Sequence, residues 1–179
     1  MAAEREIKFR VDDRSALLAR LVELEAEQVN SSQFEDNWVF DRGDELRGRR
    51  CVLRLRVDGQ GAYLTFKGPP RFEGIVKVRE EHETSVEEPE AVRALLEAIG
   101  FEAVTRYQKK REEWLVGGIT VALDNTPIGN FVEFEGEGVE KLAARCGFDD
   151  EKAERRSYLE LWADYRREHP EAPEEMVFP

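Results

Sequence analysis

The chain has 179 residues, 41% of them hydrophobic, with a formal net charge of -12 from 39 acidic and 27 basic side chains. That length suits one domain with a real core, spanning residues 1–168, and a loose C-terminal tail over 169–179. The acidic balance repels nucleic acid and anionic membrane, so any phosphate recognition must be local to a site. Cys51 and Cys146 match no metal spacing or disulfide framework and read as small buried hydrophobes of a reducing compartment. The opening Met-Ala-Ala-Glu-Arg-Glu lacks an apolar signal region, and no apolar run is long enough to span a bilayer, so a cytoplasmic location is expected.

Glu4 to Val11 alternates as a strand, placing Glu4, Glu6, Lys8 and Arg10 on one face and Ile7, Phe9 and Val11 on the other. Asp12 or Asp13 caps a helix running to about Gln28, with Leu17, Leu18 and Leu21 in its apolar stripe. Phe34 to Asp41 alternates again, and the charged, glycine-containing stretch from Arg42 to Arg50 reads as a mobile loop. Arg50 to Val57 and Ala62 to Lys67 form a hairpin across Asp58-Gly59 and Gly61. The first of these strands presents Arg54 and Arg56 on one face, and the second presents Tyr63, Thr65 and Lys67. Gly68-Pro69-Pro70 then ends the pairing.

Ile75 to Glu83 carries Lys77, Arg79, Glu81 and Glu83 at alternate positions. Glu88-Pro89 opens a helix that stops at Gly100. Tyr107 to Val116 places Lys109 and Arg111 on one face, Gly117-Gly118 turns the chain, and Ile119 to Asp124 returns. Asn130 to Glu135 sets Glu133 and Glu135 opposite Val132 and Phe134. A short helix from about Val139 to Arg145 and a last one from about Glu151 to Glu168 complete the domain before Pro170.

Strand after strand therefore has a charged face of both signs backed by an apolar face. A sandwich with solvated charged faces satisfies that periodicity. So does an α+β architecture in which an antiparallel sheet closes into a barrel, its polar lumen lined by charges and its apolar exterior covered by helices. Burying so many ions without partners costs several kcal/mol each. Such a lumen must be wet, internally paired, or built for a charged ligand, and a polyanion with a divalent cation answers both signs. Carboxylates at alternate positions, Glu4 with Glu6 and Glu133 with Glu135, suit hard cations such as Mg2+ or Mn2+. Arginines and lysines suit phosphate oxygens. With His82 and His169 the only histidines, a histidine-rich zinc site and a serine triad lack support.

The residues also resemble the CYTH superfamily of triphosphate tunnel metalloenzymes, which includes inorganic triphosphatases, thiamine triphosphatases and class IV adenylate cyclases. The resemblance rests on Glu4-x-Glu6-x-Lys8, then Leu53-Arg54-Leu55-Arg56, Leu64-Thr65-Phe66-Lys67-Gly68-Pro69, and Arg79 with Glu81 and Glu83. Lys109-Lys110-Arg111, Asp124, Gly129-Asn130-Phe131 leading to Glu133 and Glu135, and Arg156-Ser157-Tyr158 continue it along nearly the whole chain.

It implies an eight-stranded barrel forming a tunnel, with Glu4, Glu6, Asp124, Glu133 and Glu135 at a Mg2+ or Mn2+ site. Lys8, Arg54, Arg56, Lys67, Arg111 and Arg156 would bind phosphates, joined by Arg79 and Lys109. Glu4, Glu6 and Lys8 would act in catalysis, while Glu81, Glu83 and Tyr158 would stand behind them. The partner implied is a small triphosphate, not nucleic acid or membrane, bound by a monomer or homodimer. Only Met1-Ala2-Ala3 precedes Glu4, where class IV cyclases carry a His-Phe pair, and Val52 stands where the vertebrate thiamine triphosphatases carry tryptophan. Inorganic tripolyphosphate is therefore the expected substrate. Adenylate cyclase, thiamine triphosphatase and a noncatalytic polyphosphate-binding module are the alternatives.

Overall fold

In the computed structural model, which describes residues 3–179, the alternating segments close on one another. The strands are β1 (Ala3–Arg10), β2 (Glu27–Asp41), β3 (Val52–Asp58), β4 (Gly61–Lys67), β5 (Arg71–Glu73), β6 (Val76–Val86), β7 (Glu102–Val116), β8 (Ile119–Thr126) and β9 (Gly129–Glu135). Their order is β1-β9-β8-β7-β2-β3-β4-β6, and β6 pairs back onto β1, so eight antiparallel strands form a closed barrel with β5 as an extra strand on β6. Closure removes the exposed edges that an open sheet of this length leaves. It also sorts the two strand faces into inside and outside, which decides between barrel and sandwich.

The hydrophobic core lies outside the barrel wall. Ile7 and Phe9 of β1, Val76 and Val78 of β6, Val121 and Leu123 of β8, and Val132 and Phe134 of β9 point outward. Helices α1 (Arg14–Glu23) and α4 (Val139–Arg145) cover them with Leu17, Leu21, Val139, Leu142 and Ala143. Each such side chain, fully buried, contributes about 1.5 to 3 kcal/mol. Helix α3 (Pro89–Ala98) places Leu96 over Phe40 and Leu55. Helix α5 (Tyr158–Glu168) lies across one end of the barrel, in a cluster with the lumen-side residues Val39, Tyr107 and Phe131.

Several boundaries differ from the sequence reading, each for a local reason. Helix α1 stops at Glu23 rather than near Gln28, because Glu25 takes a positive φ of 54° and turns the chain directly into a 15-residue β2. The Arg42–Arg50 stretch is not a free loop but holds the short helix α2 (Glu45–Gly48). The Asp41 carboxylate accepts hydrogen bonds there from the amides of Arg42, Leu46 and Arg47. Helix α5 starts at Tyr158, where Ser157 and Glu160 form a capping box, and a 3-10 turn at Asp150–Lys152 replaces the expected earlier turns.

The largest correction concerns the stretch after α5. It is not loose. Met176 is fully buried, and it pairs with β7 through Gln108 N–H to Met176 O at 2.8 Å and Met176 N–H to Arg106 O at 3.2 Å. Strand β8 reaches along β7 only from Val116 to Lys110, so the Arg106–Gln108 edge needs another partner, and this segment supplies it.

Candidate functional site

The barrel encloses a cavity of about 390 Å3. Lys8, Arg54, Arg56, Lys67, Lys77, Arg79, Lys109 and Arg111 line it, with Glu4, Glu6, Glu81, Glu83, Glu113, Glu133 and Glu135 among them. The chain is acidic overall, yet here eight cations meet seven carboxylates. Strand parity produces this: Glu4, Glu6 and Lys8 share the inner face of β1, while Arg54 and Arg56 share that of β3. Lys77, Arg79, Glu81 and Glu83 share the inner face of β6, and Lys109, Arg111 and Glu113 share that of β7.

One wall is internally neutralised. Asp124 lies at the centre of a buried network, accepting from Lys109 Nζ at 3.0 Å, from Arg111 Nε and Nη2 at 2.8 and 2.7 Å, and from the Tyr158 hydroxyl at 2.7 Å. Glu133 is gripped by Arg111 and lies 3.3 Å from Lys8 Nζ. Burial opposes ionisation of both carboxyls, but Arg111 and Lys109 hold Asp124 below the usual range. Lys8, Arg111 and Lys109 hold Glu133 well below it. Burial, with Asp124 and Glu133 nearby, raises the Tyr158 phenol well above its ordinary value, so it stays a donor. Lys8 Nζ sits 4.1 Å above the Tyr158 ring centroid and donates to the Arg156 carbonyl at 3.1 Å.

The opposite arrangement occurs at the β1–β9 seam. Ligand oxygens of Glu4, Glu6 and Glu135 lie within 4.8 Å of one another. Each of these carboxylates has one cation beside it: Lys67 Nζ is 2.7 Å from Glu4, Lys77 Nζ 2.6 Å from Glu6, and Arg111 Nη1 3.4 Å from Glu135. Burial, reinforced by Glu133, Glu6 and Glu4 and only partly offset by Arg111, pushes the Glu135 carboxyl up to about 8. Three hard oxygen donors in like-charge repulsion fit a divalent cation such as Mg2+ or Mn2+, which takes carboxylate oxygens and relieves that repulsion.

The remaining lining residues face inward from the other strands. Arg54 donates to the Tyr107 hydroxyl and to Thr65 Oγ1, both at 3.3 Å. Burial opposes its charge, but Tyr107 and the nearby carboxylates raise its pKa. Lys67 is likewise raised against burial by Glu4, Glu6 and Glu81. Glu83 lies 3.7 Å from Arg54 and 3.6 Å from Arg56, and Glu81 lies 2.9 Å from Lys67. Arg79 spends its guanidinium on backbone, donating to Gly68 O at 2.9 Å and Arg50 O at 3.3 Å, and so ties β6 to the end of β4.

Of the residues singled out from sequence, two are not among those lining the cavity. Asp124 is sealed behind Lys109, Arg111 and Tyr158. Arg156 is half-exposed and paired with Glu154 and Asp164 at 2.7 and 2.6 Å. Conversely, Lys77 and Glu113 line the cavity and were not singled out, although each continues an alternation already recognised, Lys77 with Arg79 and Glu113 with Arg111. Glu35, buried and 3.5 Å from Lys109, and Asn37, fully buried with no partner for its amide among the described residues, share the inner face of β2. Their parity is readable in the sequence, where Phe34, Trp38 and Phe40 mark the opposite face. Cys51 is buried as expected, whereas Cys146 is only partly so.

Among proteins similar to this chain, one from Methanocaldococcus jannaschii, provisionally named an adenylate cyclase, is 27% identical over 171 residues, covering 88% of this chain and 97% of the relative. A solved Pyrococcus horikoshii protein is 29% identical with a TM-score of 0.78, covering 91% of this chain and 99% of its own. A Hippeastrum protein, described as having a dominant triphosphatase activity, shares the fold at 21% identity and a TM-score of 0.69, covering 90% of this chain and 96% of its own. Residues 2–160 match the CYTH domain. With that match spanning nearly all of a barrel whose inner face is charged on every side, the chain belongs to the CYTH domain family.

Proposed function

We propose that this barrel binds a triphosphate and hydrolyses one of its phosphoanhydride bonds, inorganic tripolyphosphate being the substrate. The observation that carries the reading is the separation of charge in one cavity: an acidic cluster at Glu4, Glu6 and Glu135 facing a wall of arginines and lysines. A Mg2+ or Mn2+ ion held by those three carboxylates would supply neutralisation of phosphate charge. Asp124 and Glu133 are already committed to Arg111, Lys109 and Lys8, so their part is to hold those cations in place.

Arg54, Arg56, Lys67 and Arg111 grip the equatorial phosphate oxygens, with the guanidiniums able to do so in bidentate fashion. They are fixed before substrate arrives, so charge building on the transferring phosphoryl group meets donors that need no reorganisation. Glu4 or Glu6 orients a water toward the terminal phosphorus. A new P–O bond forms to that water as the bridging P–O bond breaks, releasing orthophosphate and pyrophosphate, with the water's proton passing to solvent. Lys8, buried beside Glu133 and the Tyr158 ring, stabilises the charge that remains on the attacked phosphate.

Adenylate cyclase is the second reading, favoured by the M. jannaschii relative's provisional name and by the apolar end of the cavity at Val39, Val52 and Leu159. There, ATP would occupy the same cavity and its ribose 3'-hydroxyl would attack the alpha phosphorus. A product assay with Mg2+ or Mn2+ on tripolyphosphate, ATP and thiamine triphosphate separates the readings. The expected result is a kcat/KM for tripolyphosphate at least ~100-fold above the others, about 2.7 kcal/mol of transition-state preference, with orthophosphate and pyrophosphate as products. Cyclic AMP and pyrophosphate from ATP at a comparable rate would establish the cyclase. Tight binding of all three without turnover would mean a polyphosphate-binding module.

A further inference from the structure

Residues 170–179 lie outside the stretch that matches the CYTH domain, yet they are tied into the barrel at several points. The Trp162 indole N–H donates to Glu174 O at 3.0 Å, Met176 is bonded on both sides to the β7 backbone, and Phe178 N–H donates to the Gln108 side chain at 3.1 Å. Phe178 packs near Phe34, and Lys110 Nζ lies 5.3 Å from its ring centroid. The centre of this attachment is Met176, fully buried in a cluster with Tyr107, Tyr158 and Trp162.

Those two tyrosines are also where the apolar cluster meets the charged cavity. Tyr107 accepts from Arg54, while the Tyr158 ring lies under Lys8 Nζ at 4.1 Å and near Lys109 Nζ at 5.6 Å. Lys8 and Lys109 therefore lie by the Tyr158 ring and Arg54 bonds the Tyr107 hydroxyl, and both tyrosines share a buried cluster with Met176 of the segment after α5. We infer that residues 170–179 form a strap, with Met176 as a positioning residue that holds Tyr107 and Tyr158 in place and thereby sets Arg54, Lys8 and Lys109 for a phosphorylated ligand.

A segment added only to satisfy the Arg106–Gln108 edge would need its backbone alone, and any side chain would serve at position 176. A methionine at zero exposure in one cluster with two cavity tyrosines is a different matter, because an unbranched thioether adapts to fill the space left in such a cluster. Loss of that volume lets the rings shift, and a displacement of about 1 Å at a binding group is enough to cost up to 100-fold.

The test compares the full chain with Met176→Ala, Met176→Leu and Trp162→Phe. Trp162→Phe keeps an aromatic ring in the cluster but removes the bond to Glu174. Two quantities are read alongside the melting temperature: the tripolyphosphate Kd by calorimetry in chelator, and acetylation of Lys8 and Lys109 by acetic anhydride in ligand-free protein, with exposed Lys141 as reference. Met176→Ala should raise Kd at least ~10-fold and labelling of Lys8 and Lys109 several-fold, with Lys141 unchanged. Trp162→Phe should do so in smaller measure, and the near-isosteric Met176→Leu should stay within about twofold of the native chain.

A folded Met176→Ala or Trp162→Phe protein with a lower melting temperature but native Kd and labelling would overturn the inference, leaving the segment a stabilising brace. The ligand arm rests on the phosphate-site reading. If the native chain binds no tripolyphosphate either in chelator or with Mg2+, that reading fails while the labelling arm still decides the strap.

Discussion

Two halves of one lumen treat buried charge in opposite ways. Around Asp124 and Glu133 every carboxylate has cations at hydrogen-bond or ion-pair distance, and their pKa values fall despite complete burial. Around Glu4, Glu6 and Glu135 three carboxylates crowd together, each with one cation at ion-pair distance, and Glu135 rises to about 8. The first arrangement gives each carboxylate two cations, whereas the second gives each carboxylate one and leaves a mutual repulsion that a positive ligand would relieve. A carboxylate on the inner face of a barrel strand is therefore not by itself a metal ligand. What distinguishes the two groups is how much counter-charge the protein supplies to each carboxylate, two cations against one.

The sharpest way to break this contrast is to delete Arg111, which bridges Asp124, Glu133 and Glu135. Arg111→Ala leaves buried carboxylates uncompensated and should cost about 3 to 5 kcal/mol in chemical denaturation, in addition to abolishing turnover. Glu6→Gln should instead abolish turnover with a smaller loss of stability, because relief of its crowding with Glu4 and Glu135 offsets the lost pair to Lys77. Equal stability losses in the two variants would erase the distinction between the halves.

A comparable separation holds between the two faces of β3. Leu55, 2% exposed on the outer face, packs with Phe40 and Leu96, and Leu55→Ala should cost about 2 to 5 kcal/mol. Arg54→Ala and Arg56→Ala, on the inner face, should chiefly weaken triphosphate binding in a calorimetric titration. The reverse pattern would mean that the lumen and the outer surface have been exchanged.

These faces were legible in the sequence because a strand's period of two separates its sides without reference to the fold. Parity placed Glu4, Glu6, Lys8, Arg54, Arg56, Arg111 and Glu133 on common faces, and the helices had apolar stripes that needed a wall to cover. Pairing across strands was not legible. Nothing local to Asp124 says that Lys109, Arg111 and Tyr158, from two other elements, will converge on it, nor that Glu135 will stand beside Glu4 and Glu6. The segment around Met176 was missed for the same reason. Its polar, proline-containing sequence carries no periodicity, and its burial depends on an edge of β7 that exists only because β8 is shorter than its neighbour.

A separate expected effect is on pH dependence. Glu135, raised to about 8 in the folded chain against an ordinary value near 4.5, binds its proton more tightly folded than unfolded. In chelator its contribution to stability is full below about pH 4.5 and declines as pH rises through the window to about 8. Asp124 and Glu133 are depressed, so their contribution is present above about pH 4 to 4.5 and is lost as pH falls through their folded values. Chemical denaturation across this range should show the alkaline slope flatten in Glu135→Gln and on adding Mn2+, while the acid limb remains. An alkaline slope unchanged by both would contradict the cluster's electrostatics.

The most direct test of the central claim is anomalous scattering from crystals grown with Mn2+. The account predicts one strong peak within coordination distance of the carboxylates of Glu4, Glu6 and Glu135, lost in Glu135→Gln, with Asp124 and Glu133 still paired to Arg111. A peak on Asp124 or Glu133 instead, or no peak in the lumen at millimolar Mn2+ with tripolyphosphate present, would contradict it.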